Sequence, residues 1–137
     1  MADLRETVTR LFDAMNNKDF ETIRSHLDPG FVYIGPDDQE ARGIEAGLQA
    51  GWVDHSEGFP DVRIDVKNVY VAGDTVTTEF HFSGTHTGTW GGVPPTGKRV
   101  EGDVCNVMQF RDGKLVRERD YVNTLGIFMQ LGVVQMP

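Results

Sequence analysis

Polar and apolar positions alternate with a helical period in three stretches within the first 55 residues. The first stripe comprises Leu4, Val8, Leu11, Phe12 and Met15, the second Phe20, Ile23 and Leu27, and the third Ile44, Leu48, Trp52 and His55. This spacing places each set on one face of a helix and predicts three amphipathic helices. Asp28-Pro29-Gly30 is expected to end the second helix, and a short strand is expected over 31–34.

The second half of the chain changes to the alternation that is typical of strands. Between Val62 and Val71 the alternation changes phase near Lys67-Asn68, which indicates a bulge. A long strand is predicted over 75–87, followed by a loop over 88–97 that is rich in glycine and proline. A second hairpin, with strands over 99–111 and 115–121, turns at Asp112-Gly113. Helical spacing returns over 124–131, where a last segment would cap the open end of the sheet.

Helices followed by a meander of long strands predict an α+β fold with a mainly antiparallel sheet. The 137 residues contain neither an internal repeat nor a linker, so we expect a single domain over 1–137. In-strand glycines such as Gly84 and Gly102 help a sheet to curl. The pattern therefore permits a strongly curved sheet whose concave face, covered by the helices, would enclose a cavity.

Charge and composition exclude several functional classes. The net charge of −8 disfavours nucleic-acid binding, because an acidic surface repels phosphate. No apolar run is long enough to span a membrane, and the N-terminus lacks the apolar core of a signal peptide. The single cysteine, Cys105, cannot form an internal disulfide. We expect a soluble cytoplasmic protein.

Cofactor and metal motifs are also missing from the sequence. The four histidines show no zinc-ligand spacing, and neither a nucleotide-binding glycine motif nor a nucleophile elbow occurs. No metal and no cofactor are therefore expected.

Asp120 is the first candidate for chemistry, because strands disfavour aspartate. In an apolar pocket, burial would raise its pKa and suit it to proton transfer. The alternative is a surface ion pair with Arg117 or Arg119. A two-residue turn at 112–113 would place Asp120 opposite Cys105, and a slip of one residue would place it opposite Asn106 instead. The sequence leaves both alternatives open.

Histidines and aromatic side chains supply the other candidates. His81 and His86 can serve as acid, base or hydrogen-bond donor near neutral pH, although their spacing places them on opposite faces of an ideal strand. A flat ligand could stack on aromatic rings, and Trp90 lies in the glycine-rich loop, where a lid is expected. The residues expected to bind substrate are Tyr33, Trp52, Trp90, Phe12, Met15 and Met108.

Several motifs together resemble one known family. They are Gly84-Thr85-His86-Thr87-Gly88, Gly92-Val93-Pro94-Pro95-Thr96-Gly97-Lys98, Asp112-Gly113-Lys114-Leu115, Arg119-Asp120-Tyr121 and Gln130-Leu131-Gly132, with Gly51-Trp52-Val53 in the third helix. In order and spacing they resemble the SnoaL-like polyketide cyclases. The resemblance implies the nuclear-transport-factor-2-like cone, in which a curved sheet surrounds a deep apolar pocket.

The resemblance also implies a chemistry. Members of this family close a ring of aromatic polyketides by intramolecular aldol condensation without metal or cofactor, and their catalytic aspartate matches Asp120. The family's histidine on the preceding strand is replaced by Asn106, which can hydrogen-bond a carbonyl but cannot shuttle a proton. His86 or His81 would then help to polarise oxygens. The implied substrate is a small apolar or aromatic carbonyl compound.

Two alternatives accompany this hypothesis. The run Arg119-Asp120-Tyr121 is also similar to the last strand of limonene epoxide hydrolases, but Glu79-Phe80-His81 stands where those enzymes need an Arg-x-Asp pair. An epoxide hydrolase or a polyketide hydroxylase-like enzyme is therefore the second hypothesis. A non-catalytic small-molecule-binding or interaction module is the third. Apolar residues on both faces of the long strands lead us to expect a homodimer or a higher homo-oligomer.

Overall fold

A computed structural model describes residues 3–135 of the chain. The helices are α1 (Leu4–Asn16), α2 (Phe20–Ser25), α3 (Ile44–Leu48), α4 (Asp54–Gly58) and α5 (Thr124–Leu131), with a π-helical segment, Gln49–Val53, between α3 and α4. The strands are β1 (Leu27–Ile34), β2 (Glu40–Arg42), β3 (Arg63–Ala72), β4 (Thr75–Thr85), β5 (Arg99–Arg111) and β6 (Lys114–Val122). The predicted α+β cone is confirmed: the helices pack on a curved mixed sheet.

The sheet has the strand order β2-β1-β6-β5-β4-β3. Within the described residues its two ends, β2 and β3, do not pair, so the sheet stays open. All neighbouring strands are antiparallel except β1 and β6, which run parallel. Sequence reasoning missed this parallel pair, because the pair joins two distant segments and leaves no local pattern.

Helix α1 forms as its apolar stripe predicts. Asp3 caps its N-terminus by accepting from the backbone N–H groups of Arg5 and Glu6, which would otherwise lack partners. The stripe residues Val8, Leu11, Phe12 and Met15 are buried in the core. Burial of this face against the sheet stabilises the helix more than its intrinsic propensity does.

The register of the β5–β6 hairpin decides between the two residues that could lie opposite Asp120. Asp112 and Gly113 have positive φ angles of 52° and 77°, which fits a tight two-residue turn. Arg111 pairs with Lys114 beside that turn, but the register shifts between Gln109 and Phe110. One extra residue in β6 therefore brings Asp120 opposite Asn106 rather than Cys105. The bulge predicted near 67–68 in β3 is likewise confirmed, between Val66 and Asn68.

The third predicted helix is longer and less regular than its apolar stripe suggests. It continues to Gly58 and contains the π-helical segment Gln49–Val53, a distortion that is frequent at functional sites. Gly51 lies in this segment, and a Cβ there would approach Cδ1 of Tyr33 to 2.8 Å. The missing side chain therefore lets the ring of Tyr33 pack directly against the helix.

Strand β1 is also longer than predicted. It begins at Leu27 rather than Phe31, so Asp28-Pro29-Gly30 lies within the strand instead of forming a loop before it.

Helix α5 has the predicted bounds, and Asn123 caps it by accepting from the N–H of Gly126. In the described part of the chain, no helix is long and apolar enough to cross a membrane.

Candidate active site

A cavity of about 760 Å³ lies between the helices and the concave face of the sheet. Five of the six residues expected to bind substrate line it, namely Phe12, Met15, Tyr33, Trp52 and Trp90. Met108 is the exception. It points to the same face as Asn106 but is completely buried in the core, where side chains fill the space around it. Cavities of this volume accept drug-sized organic ligands.

Asp120 faces this cavity from β6 and is held by two hydrogen bonds. The hydroxyl of Tyr33 donates to Oδ2 at 2.7 Å, and the amide Nδ2 of Asn106 donates to Oδ1 at 2.6 Å. The alternative, a surface ion pair of Asp120 with Arg117 or Arg119, is not formed within the described residues, and Arg119 pairs with Asp38 on the other face of the strand. The alternation of β6 thus separates the carboxylate from Arg117 and Arg119, which lie three residues and one residue before it.

Glu118 lies two residues before Asp120 and therefore points the same way. Its Oε1 accepts from Nε1 of Trp52 at 3.0 Å, and its Oε2 accepts from Nδ2 of Asn106, also at 3.0 Å. The Asn106 amide thus donates to both carboxyl groups and has no N–H left for a ligand. Our sequence analysis did not single out Glu118, although its spacing from Asp120 was a usable signal.

The electrostatics of the two carboxyl groups favour one shared proton. Burial raises the pKa of Asp120, while the bonds from Asn106 and Tyr33 oppose that rise. Burial also raises the pKa of Glu118 well above its ordinary value, and the charge on Asp120 adds to the shift. Because two adjacent buried carboxyl groups do not ionise together easily, the larger rise at Glu118 favours the proton on Glu118 and the ionised form of Asp120. Asp120 keeps 8% of its surface accessible and Glu118 only 2%, so Asp120 is the group that a ligand reaches.

His55, in helix α4, also lines the cavity. Its ring nitrogen Nδ1 lies 3.1 Å from Nε1 of Trp90, which belongs to the loop between β4 and β5. Burial lowers the pKa of His55, while the charges of Asp120 and Asp54 oppose the change. His55 shares a helix face with Trp52, three residues earlier, and this spacing could have marked it as a site residue.

The structure does not bring His81 or His86 into the cavity, which corrects our expectation for both. His81 points to the outer face of β4, where Nδ1 lies 2.8 Å from a carboxylate oxygen of Asp103. His86 is completely buried at the base of the 86–98 loop, where its Nδ1 accepts from the backbone N–H of Thr96 at 3.1 Å. The motifs around His86 and Thr96 therefore hold this loop together and supply no side chain to the cavity wall.

The cavity wall carries ionisable groups that can exchange protons. Among residues 3–135, no group of three or more histidine, cysteine, aspartate and glutamate side chains could hold a metal ion. The cluster places Asp120 beside a second carboxyl group, Glu118, whose pKa is raised further, at the wall of an organic-sized cavity. A carboxylate with a raised pKa is a better proton acceptor near neutral pH than an ordinary surface aspartate.

Comparison with known proteins decides the family. A family model described as SnoaL-like polyketide cyclase matches residues 5–131. The chain belongs to the SnoaL-like polyketide cyclase family. Aklanonic acid methyl ester cyclase AcmA from Streptomyces galilaeus, a protein similar to this one, is 25% identical over 134 residues, which cover 96% of this chain and 92% of AcmA.

Solved structures agree with this assignment to the SnoaL-like family. The crystal structure of a SnoaL-like protein from Jannaschia sp. CCS1 has a TM-score of 0.86 and 30% identity, and the match covers 95% of this chain and 92% of that one. AclR, a hydroxylase candidate from Streptomyces galilaeus, has a TM-score of 0.83 and 27% identity, with 96% of each chain covered. The same fold thus occurs in proteins with more than one suggested activity.

Proposed function

We propose that this protein is a cofactor-independent polyketide cyclase that catalyses an intramolecular aldol condensation, with Asp120 as the acid/base. The observation that carries the proposal is the carboxylate of Asp120, which is buried at the cavity wall and held by Tyr33 and Asn106. The similarity to AcmA, an aklanonic acid methyl ester cyclase, supports the reaction class.

The substrate is a flat, largely apolar polyketide with several carbonyl groups. Aromatic side chains of Phe12, Trp52 and Trp90 line the cavity and can stack on such a molecule. Asp120 removes a proton from a carbon between two carbonyls, where the resulting anion is stabilised as an enolate. A carboxylate is a sufficient base for so acidic a carbon, so the protein contributes mainly orientation and a preorganised site.

The steps balance without any co-reactant. The enolate carbon attacks a second carbonyl carbon of the same molecule and forms a new C–C bond, while the electron pair of that C=O bond moves to its oxygen. The protonated Asp120 then returns its proton to this alkoxide. The product is an isomer of the substrate, and Asp120 is again ionised.

Mass spectrometry of the product tests this proposal against the other enzymatic hypotheses. The purified protein is incubated with aklanonic acid methyl ester, and a cyclase yields a product of unchanged mass that separates from the substrate in chromatography. A hydroxylase would add one oxygen atom, and an epoxide hydrolase acting on a small epoxide would add one water. The geometry offers no support for the hydrolase, because Glu79 and His81 point away from the cavity.

The variant Asp120→Asn provides the mechanistic test. It preserves the shape of the side chain and removes the base, so turnover is expected to fall by about 10²–10⁴-fold. Circular dichroism checks that the variant keeps its fold. Unchanged turnover by a folded Asp120→Asn protein would end the proposal.

A further inference from the structure

The hydrogen-bond donors beside Asp120 are already engaged by carboxyl groups. The Tyr33 hydroxyl donates to Asp120, and the Trp52 indole donates to Glu118. The Asn106 amide donates to both carboxyl groups. The proposed reaction nevertheless creates negative charge on a substrate oxygen, which needs a donor in a dry site.

His55 is the residue whose geometry meets this need. An indole N–H can only donate a hydrogen bond, so Trp90 Nε1, 3.1 Å from His55 Nδ1, requires that nitrogen to accept. In a neutral imidazole the proton then lies on Nε2. Among the contacts of residues 3–135, Nε2 has no hydrogen-bond partner, and the half-buried ring lines the same cavity as Asp120.

The loop that carries Trp90 is docked so that the indole keeps this position. The backbone N–H of Gly88 donates to the carbonyl oxygen of Gly58 at 3.0 Å, which joins the loop to the end of α4. The Trp90 ring packs against Phe59 and Phe128 at centroid distances of 5.4 and 6.0 Å. These contacts hold the indole ring of Trp90 in place. The direction of its N–H is therefore set, and with it the tautomer of His55.

We infer that His55, held by Trp90 with its proton on Nε2, is a second catalytic residue that hydrogen-bonds the substrate oxygen on which negative charge develops. The inference rests on the proposed function. His55 keeps its proton throughout: Nε2–H stabilises the alkoxide, and the proton that Asp120 took from carbon neutralises it. The charged groups that act on His55 are Asp120 from β6 and Asp54 from its own helix.

The tautomer can be measured in the free protein, without any substrate. Long-range ¹H–¹⁵N correlation spectra at neutral pH should show His55 protonated on Nε2, with the signal assigned by its loss in His55→Gln. The variant Trp90→Phe keeps an aromatic ring but removes the N–H, and it should add the Nδ1-protonated form. A His55 protonated on Nδ1 in the wild-type protein would overturn the inference, whatever the fate of the proposed function.

Steady-state kinetics with aklanonic acid methyl ester are the second test of the role of His55. His55→Leu removes the donor and should lower kcat about 10²–10³-fold, with a smaller effect on KM. His55→Gln places an amide N–H near the position of Nε2 and should recover part of that loss. His81→Gln, on the outer face of the sheet, is the matched control and should retain wild-type turnover.

The outcomes separate the inference from the proposed function. An inactive Asp120→Asn variant together with a fully active His55→Leu variant would refute the role of His55 and leave Asp120 as the base. Equal losses in His55→Leu and His55→Gln, without rescue, would also refute it, because they would indicate a purely structural role. If the wild-type protein turns over no polyketide, the proposed function fails and the role of His55 in it fails too.

Discussion

The hydroxyl of Tyr33 and the carboxylate of Asp120 are joined by a hydrogen bond of 2.7 Å between two parallel strands, β1 and β6. Tyr33 lies opposite Glu118 in this pair, two residues from Asp120 in β6, so all three side chains point to the concave side. Burial, together with the neighbouring charges of Asp120 and Glu118, raises the pKa of Tyr33. The hydroxyl therefore keeps its proton and acts as a permanent donor to Asp120.

Tyr33→Phe removes this donor and leaves the ring. Because the hydrogen bond favours the ionised carboxylate, its loss should raise the pKa of Asp120 further. The base must be ionised to act, so the acidic limb of the kcat/KM profile should move about one pH unit higher. A pH–rate profile measures this shift, and an unmoved acidic limb would contradict the assignment of Asp120 as the base.

Glu118→Gln should change how stability depends on pH. The folded-state pKa of Glu118 is raised, so its stabilising contribution is complete below the unfolded value and is lost as pH rises toward the folded value. Glutamine cannot ionise, so the variant does not lose stability through this group as the pH rises. Relative to wild type, the free energy of unfolding of the variant should rise by up to about 1.4 kcal/mol per pH unit from pH ~4.3 until the pH passes the folded-state pKa of Glu118.

Urea unfolding at several pH values measures this difference. Glu101→Gln, which alters an exposed side chain of β5, is the control and should follow the wild-type dependence. Parallel curves for Glu118→Gln and wild type would show that the pKa of Glu118 is the same in the folded and unfolded protein, contrary to the rise that burial causes.

Gly58→Ala should disturb the docking of Trp90. A Cβ at this position would lie 2.6 Å from Cβ of Trp90, and neither atom can rotate away because each is attached to the backbone. We expect a destabilisation of about 1–3 kcal/mol and a change in tryptophan fluorescence. The double variant Gly58→Ala/Trp90→Gly removes the Cβ–Cβ clash and should recover much of the loss in a double-mutant cycle, whereas additive effects would contradict the proposed contact.

We expect the protein to form a homodimer through the outer face of its sheet. Tyr70 and Tyr121 both expose 55% of their surface. Tyr121 lies opposite Cys105, which in turn faces Glu79, so this part of the outer face runs across three strands. Light scattering coupled to size exclusion gives the mass directly, and a monomer at micromolar concentration would contradict this expectation.

The sequence by itself determined the elements whose causes are local. The apolar stripe of α1, the Asp112-Gly113 turn, the bulge near Asn68 and the bounds of α5 follow from spacing, from turn chemistry and from the identity of neighbouring residues. Asp120 was also singled out as a candidate, because an aspartate in a strand contradicts its propensity, and it lines the cavity. Its catalytic role stays a prediction.

Only the tertiary structure decided which groups meet Asp120. The shifted register set Asn106 opposite it, the parallel pairing with β1 brought Tyr33, and the packing of the third helix brought His55 in place of His81 and His86. Sequence alone does not show on which face of the sheet a histidine lies. Successive side chains of a strand alternate between the two faces, but the alternation does not reveal which face the helices cover. Long-range burial makes that choice, and burial also raises the pKa of the carboxyl group on which the chemistry depends.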